Sequence, residues 1–498
     1  MIARVKTAVT VGFDGQLVTV ECDMTKGLPA FNIVGLADKA VGESRERVRA
    51  AISNSELAFP PKRITINLAP ANLAKEGSHL DLPIAIGILT ASGQLLQKNL
   101  DKILFAGELS LNGELRPIRG ALNLAECARQ NDCNTIILPQ ENAAQAALLN
   151  DLNVIGATTL TEVILHLLGE KAIQPTAKTA MESNISTTHS IDEIRGQESA
   201  KRALVIAAAG HHNLLLSGPP GAGKTMLART LPGLLPPLTT DEIFATTKIY
   251  SLAGEAEEVI MQRPFRAPHH TASFVALIGG GSKVKPGEIS LAHHGVLFLD
   301  EIPEFSRTSL EALRQPLEDR TISISRAAGK VTYPAHFMLV ATMNPCPCGY
   351  FGDEKRACTC LQQSILNYQK KLSGPLLDRI DMIVPVARVP REELFAEKSG
   401  QEKPRADEWK RQIATARNTQ VSRQKRPNSA LTNKQLEKFA ALQPNARNLL
   451  AAAAEKLNLS ARSYFKTLRV ARTIADLEKH TDVKASDIAE ALQYRQQN

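Results

Sequence analysis

Residues 211–230 read HHNLLLSGPPGAGKTMLART. Leu214–Ser217 read as a short buried strand, and Gly218–Thr225 match G-x-x-x-x-G-K-[ST] without a departure. From Thr225 onward the pattern predicts a helix. Strand, glycine loop and helix in that order are the context the motif requires. The glycines let backbone N–H groups close around a phosphate at a helix N-terminus. Gly218, Pro219, Pro220, Gly221, Ala222, Gly223, Lys224 and Thr225 are therefore the candidate ATP-binding loop. Lys224 is expected to reach the β- and γ-phosphates, and Thr225 to ligate Mg²⁺.

Working outward, GVLFLDE at 295–301 is a four-residue apolar strand ending in two carboxylates. Asp300 falls where an acid orients Mg²⁺, and Glu301 where a base polarises the attacking water. HFMLVATMNP predicts a further buried strand over Phe337–Ala341 that leads to Asn344, a polar group suited to hold that water. LSGPLLDRID puts Arg379 in a turn flanked by carboxylates. LNLSARSYFKTLRVARTIADL places Arg462, Lys466 and Arg469 on one helical face, at spacings of four and three.

The alternation of strand and helix patterns over 191–398 predicts a doubly wound parallel sheet. Before it, residues 1–168 mix short β-like runs (KTAVTVGF, RITINLAP, NTIILP) with helical stretches, and the polar segment 169–190 reads as a linker. Beyond it, 399–498 is helical and Ala-rich. The chain carries a formal net charge of +8, and 401–498 alone holds 19 Lys and Arg against 10 Asp and Glu. That balance is compatible with a nucleic-acid partner. Aromatics are only 4% of the 498 residues, so base-stacking platforms are few. No run approaches the ~18 apolar residues of a membrane span, and Asp14 interrupts any signal-peptide core. A cytoplasmic protein without a membrane partner is expected.

Four of the seven cysteines fall in NPCPCGYFGDEKRACTC, residues 344–360. Reduced cytosolic thiols disfavour disulfides there. Cys346, Cys348, Cys358 and Cys360 suit a tetrahedral structural Zn²⁺, with an iron–sulfur cluster as the alternative. EDRTISISRAAGKVTY reads as a hairpin with its turn at Ala327–Gly329. Arg326 and Lys330 flank the turn and are candidates for DNA phosphate contacts. In RPFRAPHHTAS, His269 and His270 are expected to point in different directions and not to ligate metal.

Several of these strings together resemble the AAA+ superfamily, in its magnesium-chelatase-like branch, and within it the ComM (YifB) family, over nearly all of the chain. IRGQESAKRAL (194–204), GPPGAGKT, PFRAPHHTASFVALIGGG (264–281), HHGVLFLDE, IPEFSRTSLEALRQPLEDR (302–320), ISRAAGKVTYPAHF, ATMNPCPCGYFGD and KLSGPLLDRID carry the resemblance. It implies an α/β fold: an AAA+ P-loop core with a helical C-terminal lid. It places Gln197 near the adenine, Asn344 as sensor 1, Arg379 as the arginine finger of a neighbouring subunit's site and Arg462 as sensor 2. It also implies a homo-hexameric ring with hairpin inserts in its central pore.

AGELSLNGELRPIRGALNLAECAR (106–129) and KEGSHLDLPIAIGIL (75–89) resemble the Lon-type (S5-type) protease domain. At its Ser and Lys positions stand His79 and Leu122, with Ser78 one residue off, so a Lon-like fold without peptidase activity is expected. The resemblance favours an ATP-driven DNA helicase or translocase acting at branch points in recombination, in a family whose setting is natural transformation. A chelatase-like motor that remodels a partner protein is the second reading, and an ATP-dependent protease the third.

Overall fold

The computed structural model describes residues 2–95, 100–178, 189–256, 258–281, 284–326, 329–353, 355–390 and 405–495. The protein is α/β, with a mixed-sheet N-terminal unit, a parallel-sheet core and a helical C-terminal region.

The N-terminal sheet has seven strands: β1 (Ala3–Val11), β2 (Asp14–Thr25), β3 (Ala30–Val34), β4 (Arg63–Ala69), β5 (Ile103–Phe105), β6 (Thr135–Pro139) and β7 (Asn153–Ala157). Their order is β3-β4-β2-β1-β5-β6-β7. β1 and β2 form an antiparallel hairpin, β4 joins β2 antiparallel, and every other pair is parallel. Alternation in β4, where Ile64, Ile66 and Leu68 are buried, sets one face toward the helices α1 (Lys39–Asn54) and α2 (Asp81–Ala91). α2 is apolar on every side and almost wholly buried. Its Asp81 carboxylate is bonded by Arg47 and Ser44 of α1, which ties the two helices together. Burial raises the Asp81 carboxyl above its ordinary value despite those bonds.

The core sheet is built from β8 (Leu214–Ser217), β9 (Phe265–Arg266), β10 (Val296–Leu299), β13 (Met338–Met343) and β14 (Met382–Pro385). The order is β9-β10-β13-β8-β14, all parallel. These strands are near-continuous apolar runs because both faces of the sheet are covered. The intervening β11 (Thr321–Arg326) and β12 (Gly329–Pro334) form a separate hairpin in register from Thr321↔Pro334 to Arg326↔Gly329.

On one face lie α4 (Glu198–Gly210) and the C-terminal helices α7 (Ala406–Gln424), α8 (Pro444–Lys456), α9 (Ala461–Leu477) and α10 (Ala485–Gln493). Leu204 and Ile206, Val340 and Val384, and Leu468 and Ile474 belong to one continuous core, so the helical region is fused to the sheet. No helix among the described residues is long and apolar enough to cross a membrane.

The N-terminal unit also has its own seam with the core. α3 (Ala121–Gln130) packs against α6 (Thr240–Ala253), and Leu238 and Ile243 enter the cluster of Leu122 and Leu124. Lys248 on α6 is almost fully buried and bonds Glu126 at 2.6 Å and Asp14 at 3.2 Å, while its ammonium lies 4.1 Å from the Phe13 ring centroid.

Candidate nucleotide and metal sites

β8 ends at Ser217 and the loop turns back through Gly221 and Gly223, at φ +75° and +86°. The helix α5 (Lys224–Thr230) starts at Lys224, one residue earlier than the spacing predicts. The Lys224 ammonium donates to Gly218 O (2.7 Å), Pro219 O (2.9 Å) and Asn344 Oδ1 (3.1 Å). Burial lowers its pKa, against an opposing pull from Asp300 and Glu301. Thr225 Oγ1 donates to Asp300 Oδ2 at 3.1 Å. Gln197 Nε2 donates to Ala222 O at 3.2 Å and to Ala387 O, so it bridges the loop to the segment after β14.

Strand order explains this meeting. β13 lies between β8 and β10, so its C-terminal end delivers Asn344 between the loop and the carboxylates. It also delivers Thr342, which the sequence reading missed. The Thr342 hydroxyl donates to Asp300 Oδ1 and accepts from the Glu301 N–H at 2.9 Å. Glu301 has φ +50°, an uncommon conformation for a side-chain-bearing residue, and this bond holds it. A lone buried hydroxyl in the apolar run MLVATM was the available signal.

Arg379 and Arg462 lie elsewhere. Asn213, just before β8, bonds the Arg379 carbonyl at 2.9 Å and the Asp381 carboxylate at 3.0 Å. The loop follows β8, so these groups are separated by the length of that strand, about 13 Å for four residues. Arg379 donates to Pro375 O at 2.8 Å and pairs with Glu318. Arg462 pairs with Asp378 at 3.3 Å. Both line a cavity of about 440 Å³ with Lys466, Arg469 and Arg320. The expectation that Arg462 serves as sensor 2 thus meets a geometry in which it sits beside Arg379, at the strand ends opposite its own loop.

The four cysteines come together. Their Sγ atoms all lie within 4.8 Å of one another, and no other such group of His, Cys, Asp and Glu occurs among the described residues. The separations Cys346–Cys348, Cys346–Cys358 and Cys348–Cys358 are 3.3, 3.7 and 3.6 Å, and all four are free thiols. Four sulfurs on one tetrahedral ion at a Zn–S distance of ~2.3 Å stand ~3.8 Å apart. The set therefore fits a single ion. Backbone N–H groups of Phe351, Cys348 and Cys360 point at sulfurs, as they do toward thiolates. The N–H groups of Tyr350 and Thr359 pull the Cys348 thiol down to about 6.

In the hairpin, Lys330 is exposed and pairs with Ser325. The turn itself and the Arg326 side chain lie outside the described residues, as do 179–188 of the segment 169–190 and all of 391–404. His269 and His270 do not diverge as expected: their ring centroids are 4.1 Å apart, and His269 Nδ1 lies 2.8 Å from Thr271 Oγ1. In the N-terminal unit, His79 Nε2 is 3.0 Å from Ala8 O, Leu122 is buried, and the Ser78 hydroxyl donates to Glu108. Burial lowers the pKa of His79.

A P-loop on a parallel sheet, with a carboxylate strand two places away, is the core of a P-loop ATPase. Three family models match in succession: "Subunit ChlI of Mg-chelatase" over 20–142, "Magnesium chelatase, subunit ChlI" over 190–394, and "Magnesium chelatase, subunit ChlI C-terminal" over 404–495. Competence protein ComM of Haemophilus influenzae is 44% identical over 501 residues, covering 99% of this chain and 97% of that one. YifB of Salmonella typhimurium is 43% identical over 496 residues, with 99% and 97% covered. The chain belongs to the ComM/YifB family of chelatase-like AAA ATPases. Lon protease 2 of Bacillus subtilis is 30% identical over 149 residues, 28% of this chain and 27% of that one.

Proposed function

We propose that the protein is a ring-shaped, ATP-driven DNA motor that moves branch points during recombination, in the setting of natural transformation. The observation that carries the ring is the split of the catalytic set between the two ends of the strands of one sheet. Lys224, Thr225, Asp300, Glu301 and Asn344 gather at the C-terminal ends, while Arg379 and Arg462 stand at the N-terminal ends. A cation that cannot reach its own γ-phosphate acts on that of a neighbour, so complete sites form between subunits, in a hexamer. In this reading Asn344 holds the attacking water, Glu301 polarises it, Thr225 and Asp300 serve Mg²⁺, and Gln197 borders the adenine. Arg379 and Arg462 both serve the adjacent copy, where a cation supplied in trans is worth roughly 10³–10⁵ in rate.

The reading assigns 1–168 to a non-proteolytic Lon-like domain, 169–190 to a linker, 191–398 to the AAA+ core and 399–498 to the lid. DNA is its partner because the relative in Haemophilus is a competence protein and the β11–β12 hairpin presents Lys330 outward, with Arg326 on the opposite strand. The four cysteines hold a structural Zn²⁺, which ties the 346–360 insertion into a rigid unit.

The test combines purified protein, ATP and labelled branched DNA. DNA-stimulated ATP hydrolysis with resolution of the branch, both lost in Lys224→Ala, is the expected result. ATPase that ignores every DNA substrate would sink the DNA-motor reading. The chelatase-family match would then favour remodelling of a protein partner, and casein cleavage would return the protease reading.

A further inference from the structure

The cysteine cluster touches the nucleotide loop. Gly349, directly after Cys348, has φ +84° and faces Pro220, the third residue of that loop. A Cβ built on Gly349 would stand 2.6 and 2.7 Å from the Pro220 Cδ and Cγ. No side chain fits at that distance, so glycine is required both by its conformation and by the close approach. The turn is shaped by the thiol cluster itself: the Gly349 N–H donates to Cys346 O at 2.9 Å, and the Phe351 N–H to Cys346 Sγ at 3.3 Å.

A second tie runs through Tyr350. The guanidinium groups of Arg356 and Arg388 lie 4.2 and 5.4 Å from its ring centroid, and Arg388 also pairs with Asp353 at 3.5 Å. Arg388 follows Ala387, whose carbonyl accepts from Gln197, and Gln197 bonds Ala222 of the loop. The cluster therefore meets the loop at Pro220 directly and at Ala222 through Arg388, Ala387 and Gln197.

We propose that the metal-loaded cysteine knuckle is a buttress for the nucleotide loop, so that metal occupancy sets the affinity for ATP. Gly349 and Arg388 are its positioning residues. The inference rests on the reading of the four cysteines as a metal site. With an ion bound, the 346–350 turn is fixed and Pro220 has a rigid wall behind it. Without the ion, nothing ties the four sulfurs together, the turn relaxes and the wall goes. Nucleotide binding must then order the loop itself, which weakens it. Supporting residues around a metal site typically change affinity or activity by about 10–100-fold.

The experiment measures binding of a fluorescent ATP analogue together with zinc content. It compares wild-type protein as purified, the same protein after chelation, and the chelated protein after zinc is restored. The expected result is one zinc per chain, about tenfold weaker binding without it, and recovery on its return. Gly349→Ala and the milder Arg388→Gln are expected to keep zinc and far-UV spectrum while binding the analogue several-fold more weakly. Wild-type protein that carries no metal overturns the metal reading and the inference with it. Zinc-loaded and zinc-free protein that bind equally overturn the inference alone. If chelation precipitates the protein, Arg388→Gln decides: zinc retained with unchanged affinity overturns the buttress.

Discussion

Thr342 holds two acids in different ways. Its hydroxyl orients the Asp300 carboxylate and accepts the Glu301 N–H, so one side chain fixes both groups that the proposed function assigns to the metal and the water. Thr342→Val removes both bonds but keeps shape. We expect kcat for ATP hydrolysis to fall about 10–100-fold with KM for ATP little changed, because Lys224 and the loop are untouched. An equal loss in KM alone would place Thr342 in binding. The glycine loop could be read from sequence because its context is local: strand, turn and helix are contiguous. Thr342 could not, because its role depends on what lies across the sheet. The same holds for Gly349, whose need for glycine comes from Pro220, 129 positions earlier in the chain (349 − 220).

At the scale of elements, the order of strands decides what the motifs become. Thr225 and Asp300 are 75 residues apart, and Asn344 is 120 from Lys224. Only the insertion of β13 between β8 and β10 brings them together. The apolar runs announced buried strands, and a parallel sheet follows from their alternation with helices. The register between them, and the placing of α9 beside the turn that carries Arg379, did not follow from any one run. The seam between α3 and α6 was equally hidden, since nothing near Lys248 in the chain points to Glu126, 122 positions away. Lys248→Ala leaves Glu126 without its partner in a mostly buried site. A loss of about 1–3 kcal/mol in denaturant unfolding is expected, with earlier proteolytic release of the N-terminal unit. Unchanged unfolding would mean that the seam is held by apolar packing alone.

On the scale of the molecule, stability carries a pH signature. The N-terminal ends of β8, β10 and β13 bring His211, His293, His294 and His336 together, near Arg263, Arg320 and Arg417 and the carboxylate of Glu242. Burial, helped by neighbouring cations, pushes His336 down to about 3 and His293 to about 2, and His211 well below its usual value. The unfolded chain binds these protons near pH 6.5 and the folded one does not. Stability is therefore full above about 6.5 and lost progressively as pH falls toward about 3. By pH 5 the loss is on the order of 1–2 kcal/mol per histidine. His336→Gln is expected to flatten the slope of melting temperature between pH 7.5 and 5. An unaltered slope would show that His336 does not titrate on unfolding.

The proposed sharing of sites is tested by mixing. Arg379→Ala keeps a loop and lacks a finger, while Lys224→Ala keeps a finger and lacks a loop. Each alone is expected to be inactive, and mixed assemblies to regain ATPase activity at junctions that pair the intact halves. A mixture as inactive as its components would place the whole site within one chain.

The split between the two strand ends has a consequence for how the proposed ring starts. Each copy would carry a nucleotide socket on one side and a pair of arginines on the other, so in that ring copies would join head to tail. An open row always leaves one socket at its end without arginines. A pair of copies works at half strength, each added copy completes one more junction, and closure completes the last. Dilution should therefore silence the ATPase faster than in proportion to protein concentration.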